Sequence, residues 1–148
     1  MGDWKKDLKA FFEVQRIEKK RKQENDESKS QIEKFYTSKV RSTFKELKKE
    51  LERYGREVKI AVGNNFAAID VSHKGLLELN YQIKVKDVYP YPEMYYRDKS
   101  ANGIWAEGTF KLGIQKYTIL DISKEVIIEN FMREYKARLW VLYRGHDA

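Results

Sequence analysis

Apolar residues recur at helical spacing as far as Tyr54 and at strand spacing from Val58 onward, and this change of period around Gly55 limits the fold more than any other feature. Before it, Ile32, Tyr36, Val40, Phe44, Leu47, Leu51 and Tyr54 follow one another at steps of four or three. That stripe predicts a helix over residues 31–54, with Phe35 widening its apolar face, Ser30 as N-cap and Gly55 as the left-handed residue that ends it. At about 1.5 Å per residue such a helix is about 36 Å long, longer than most globular helices.

After Gly55, Val58, Ile60 and Val62 alternate with Glu57, Lys59 and Ala61, and Gly63-Asn64-Asn65 offers a tight turn into a second strand over 66–72. His73-Lys74-Gly75 turns the chain into a third strand. There Leu77, Leu79, Tyr81, Ile83 and Val85 alternate with Glu78, Asn80, Gln82, Lys84 and Lys86, the pattern of an antiparallel strand with one dry and one wet face. Tyr89-Pro90-Tyr91-Pro92 is expected to end this pairing, because proline removes a backbone donor. Further strands are predicted over 94–98, 104–110 and 114–120. Ser123 is the expected cap of a last helix over 124–143, with Ile127, Phe131, Tyr135, Leu139 and Leu142 on its apolar face. No βαβ alternation occurs. The fold expected is therefore α+β, an antiparallel sheet of four to six strands packed on one face by a long helix of the N-terminal half and a C-terminal helix.

At the N-terminus, Trp4, Leu8, Phe11 and Phe12 share one face of an amphipathic helix predicted over 1–24. Residues 18–30 contain no apolar side chain, so 25–30 is expected to be a flexible linker and 31–148 a single α+β domain.

Little in the chain suggests catalysis. Cysteine is absent, which removes disulfides, thiolate metal sites and thiol nucleophiles. His73 lies in a predicted turn and His146 near the C-terminus, outside any metal-binding spacing. Gly103-Ile104-Trp105-Ala106-Glu107-Gly108 lacks the lysine of a phosphate loop and the spacing of a dinucleotide turn. Glu78, Asp98, Glu107 and Asp121 read as members of a wet sheet face. No enzyme activity and no cofactor are expected. Without a long apolar run or a signal-like N-terminal segment, the expectation is a cytoplasmic protein with no membrane partner.

Two clusters point to binding. Tyr89, Tyr91, Tyr95 and Tyr96 fall within eight residues, with Arg97 next and Trp105 across a predicted turn; aromatic rings supply large, rigid contact area with a polar tip. Trp4, Phe11 and Phe12 form the second. Three amphipathic helical stripes exceed what one small sheet can cover, so the leading expectation is a non-enzymatic protein-interaction module that forms homo-oligomers, most simply a twofold dimer. The runner-up is a nucleic-acid-binding protein. The net charge of +7 is concentrated in the N-terminal third, and Lys19-Lys20-Arg21-Lys22 and the tyrosines could contact phosphates and bases. Acidic neighbours Glu18, Glu24, Asp26 and Glu27 weaken that field. A third class is a small-ligand receptor or enzyme with a pocket between sheet and helix.

Overall fold

The structure, a computed structural model, describes residues 3–98, 102–110 and 117–143, apart from the side chain of Asn25. The chain divides into two units, Met1–Gln31 and Ile32–Ala148.

The first unit is helical. Helix α1 (Trp4–Lys34) is unbroken through 25–30, where composition predicts a linker. Glu, Lys, Arg and Gln dominate 18–24, and these straight-chain residues favour helix without needing anything to bury. Polarity there signals exposure rather than loss of structure. Ser30, expected as an N-cap, is consequently interior to α1.

In the second unit a π-helical turn (Phe35–Val40) leads directly into α2 (Arg41–Arg53). Three consecutive steps of four from Ile32 to Phe44 explain the wide turn. In an α-helix each such step overshoots by about 40°, so the stripe would drift by about 120°. A turn closed by bonds one residue longer absorbs part of that drift. Tyr36, Val40 and Phe44 all reach the core.

Five strands follow, β1 (Glu57–Val62), β2 (Ala67–His73), β3 (Leu76–Lys86), β4 (Tyr89–Arg97) and β5 (Gly103–Glu107), in an antiparallel sheet of order β1-β2-β3-β4-β5. The β2–β3 turn places Lys74 and Gly75 in the left-handed region, φ 52° and 79°, as a two-residue hairpin loop of matching twist requires. A 3-10 turn (Ile119–Asp121) precedes α3 (Lys124–Leu142), which Ser123 caps by accepting a bond from Val126 N at 3.2 Å. Gly55 ends the preceding helical region at φ 78°.

The inner sheet face meets α2 and α3. Val58, Ile69, Val71, Leu79, Ile83 and Met94 pack with Phe44, Leu47 and Leu51 from α2 and Ile127 and Phe131 from α3. Tyr81 sits between Phe44 and Phe131, edge-on to both, and donates to Asn130 Oδ1 at 2.5 Å. Tyr36 donates to the Ile83 carbonyl at 2.8 Å, tying the π-helical turn to β3.

Two expectations fail here. Tyr89-Pro90-Tyr91-Pro92 does not end the pairing, because both prolines lie within β4, opposite Val85 and Ile83. The Pro92 carbonyl accepts from Gly108 N at 2.9 Å on the side away from β3, so the missing donors of Pro90 and Pro92 also face away and no β3–β4 bond is lost. Glu78 is not on the wet face. Val71 opposes Leu79 and Ser72 opposes Leu77, so Glu78 is the extra residue of a β-bulge that turns it inward and leaves Leu77 on the outer face. Of the strand expected over 114–120, residues 114–116 lie outside the described residues, Tyr117 and Thr118 are in no strand, and Ile119 and Leu120 belong to the 3-10 turn.

Candidate functional site

The outer face of the sheet carries the aromatic cluster. Strand register places Lys59, Asp70, Asn80, Tyr95 and Trp105 in one row across all five strands. Asn80 Nδ2 donates to Asp70 Oδ1, and Gln82 Nε2 donates to Asn80 Oδ1 at 2.8 Å, which holds the planar groups in the middle of the row. Tyr95 and Trp105 lie with ring centroids 5.0 Å apart. Trp105 remains 59% exposed. The row, with Glu57, Ser72, Leu77 and Gln82, lines a shallow groove of about 350 Å³. Gly103 lies under the Tyr95 ring, where any Cβ would collide with it.

Charges of both signs are mixed on this face. Lys59 stands opposite Asp70, Lys84 pairs with Glu93 at 3.2 Å, and Glu93 faces Glu107 across β4 and β5. Such a face suits a neutral, amphipathic contact better than a run of phosphates.

The sequence cluster around Tyr89 splits in two. Tyr89, Tyr91, Tyr95 and Arg97 alternate onto the outer face. Tyr89 and Tyr91 line a second depression with Pro90 and Tyr117, whereas Tyr95 belongs to the Trp105 groove. Tyr96 points the other way and packs against the core, with the Arg138 guanidinium 3.9 Å above its ring. The other sequence-predicted residues, Trp4, Phe11 and Phe12, belong to the first unit and are 60%, 56% and 61% exposed. Phe11 and Phe12 meet edge to face at 5.5 Å.

One polar constellation has no counterpart in the sequence reading. The buried Glu78 carboxylate accepts from Arg56 Nε and Nη2, both at 3.0 Å, from the Tyr135 hydroxyl at 2.7 Å and from the Tyr143 hydroxyl at 2.8 Å. Burial and the bond to Glu78 push the Tyr143 phenol up to about 12 and raise that of Tyr135 still further, so both donate as neutral groups. The bond to Glu78 likewise holds Arg56 in its charged form. A bulge leaves no mark in the alternation, since Leu77 and Leu79 flank Glu78 as they would flank a wet-faced residue. His73, expected in a turn, instead ends β2 with its Nδ1 buried without a partner among the described residues, and His146 lies outside them.

Among the described residues no group of three or more His, Asp or Glu side chains is arranged to hold a metal ion, and no helix is long and apolar enough to cross a membrane. No family model, no curated protein and no solved structure matches this chain.

Proposed function

We propose that the chain is a non-enzymatic protein-interaction module that self-associates through the apolar face of α1. One observation carries this reading: Trp4, Leu8, Phe11 and Phe12, spaced four, three and one apart, form a contiguous patch that is exposed in the single chain. Val14, also exposed and one turn on from Phe11, borders it. A twofold dimer lets each stripe cover the other.

The energetics favour a concentration-dependent contact. Each large side chain contributes about 1.5–3 kcal/mol on full burial, and these are already about half covered by their own helix. Eight of them across a dimer supply roughly 6–12 kcal/mol, against an association cost of about 4–15 kcal/mol. The absence of cysteine fits a reducing compartment such as the cytoplasm.

A second reading, nucleic-acid binding through the tyrosines, draws support from the exposed Tyr95–Trp105 pair, on which bases could stack. The carboxylates on that face, with Glu93 beside Glu107, weigh against phosphate binding there.

Sedimentation velocity of the full chain tests it, comparing the wild type with Trp4→Ala/Phe11→Ala/Phe12→Ala across a concentration series at about 50 and about 500 mM salt. The wild type is expected to dimerise at both salts, because apolar contacts survive screening, and the triple variant to stay monomeric. A wild type that remains monomeric, or a variant that associates equally well, would overturn the reading.

A further inference from the structure

We propose that Arg41, Lys45 and Lys49 on α2 form a docking stripe for the phosphate backbone of a nucleic acid. The three occupy positions i, i+4 and i+8, so they rise along one side of the helix in steps of about 6 Å. Phe44, Leu47 and Leu51 take the opposite side into the core, which leaves Lys45 and Lys49 exposed and Arg41 half-buried. With Thr37, Ser42 and Lys124 the stripe lines an open cleft of about 470 Å³.

Uncompensated charge distinguishes these residues from the other cations of α2 and of the cleft. Lys48 pairs with Glu52, Arg53 with Glu50, and Lys124 with Glu46, the one carboxylate in the cleft. Arg41, Lys45 and Lys49 have no carboxylate partner among the described residues. Arg41 Nη2 donates to the Val62 carbonyl at 3.3 Å, which orients the guanidinium without neutralising it. The Ser42 hydroxyl is exposed and free to donate to a phosphate oxygen.

The cations are strung along a line rather than converging on a point, and the cleft is shallow, so a repeating polyanion fits better than a single phosphate. Their spacing is comparable with that of successive backbone phosphates. No apolar side chain lines the cleft, which removes the insertion that holds a helix at a lipid surface. This inference does not rest on self-association through α1, which uses other residues.

The test is fluorescence anisotropy of the full chain with labelled oligo-dT, oligo-U and a DNA duplex over a salt series, with inorganic phosphate, polyglutamate and phosphatidylserine vesicles as competitors. Three phosphate contacts to a single strand predict that log K falls with log salt at a slope of about −2 from this stripe. Arg41→Gln/Lys45→Gln/Lys49→Gln should weaken binding more than about tenfold near 100 mM salt and make the slope less negative by about 2. Lys48→Gln/Arg53→Gln, on cations already paired, should change neither. If loss of the Arg41 bond to Val62 disturbs folding by circular dichroism, Lys45→Gln/Lys49→Gln is read instead, with about two thirds of the slope change. Loss of binding to any of the three nucleic acids in the stripe variant, with the paired-cation control intact, supports the proposal. Absent binding by the wild type, an unchanged affinity and slope in the stripe variant, or equal displacement by polyglutamate or vesicles would overturn it.

Discussion

Glu78 shows how much one residue's placement depends on its partners. A carboxylate at 1% exposure is tolerable only because four donors reach its two oxygens, Arg56 with two and Tyr135 and Tyr143 with one each. These bonds join β3, the segment before β1 and the end of α3. Glu78→Gln keeps the shape but leaves Arg56 facing an amide. We expect a loss of about 3 kcal/mol in urea denaturation, the low end for breaking a buried ion pair, because the Arg56 side chain keeps 16% exposure. Tyr143→Phe should cost only about 1 kcal/mol, one hydrogen bond's worth. Equal and negligible losses would mean that the cluster does not hold α3 in place. Nothing in the sequence marked Glu78 for this role, since its neighbours alternate as a wet-faced residue's would. The partners come from positions 22, 57 and 65 residues away.

At the scale of elements, periodicity was legible and its interruptions were not. Leu79, Tyr81 and Ile83 are fully buried, as alternation requires, while Lys84 reaches Glu93 on the outer face. Leu79→Ala or Ile83→Ala should cost about 2–5 kcal/mol through the cavity left behind, and Lys84→Ala under about 0.5 kcal/mol. Thermal melts that shift equally for all three would contradict the assignment of faces. The bulge at Glu78 and the prolines of β4 escaped the same alternation argument for one reason. Each depends on the strand alongside, the bulge on two β3 residues sharing one β2 position and the prolines on β3 lying on the side where no proline donor is needed. The π-helical turn was nearer to legible, because three successive steps of four in the stripe already exceed what an α-helix can keep in line.

For the molecule as a whole, the two units differ in what sustains them. The second has a continuous core running from Phe35 to Tyr135, whereas the side chains of α1 from residue 18 to 27, Asn25 aside, are all exposed. Helix propensity alone supports such a segment only marginally. Hydrogen exchange should therefore release the amides of residues 18–31 long before those of α3, whose Ile127 and Phe131 are fully buried. Protection equal to that of α3 would mean that a second copy covers this stretch as well.

The sequence by itself determined the α+β class, the antiparallel sheet, the helix faces and the caps at Ser123 and Gly55, because each follows from short-range spacing and backbone preference. Only the tertiary structure decided that Tyr96 turns inward beneath Arg138, that Tyr95 meets Trp105 at a tilt, that Glu78 is buried and that Arg41, Lys45 and Lys49 are left without carboxylates among the described residues. These are matters of which distant side chains meet, and strand register and helix packing set that, at separations where local pattern carries no information.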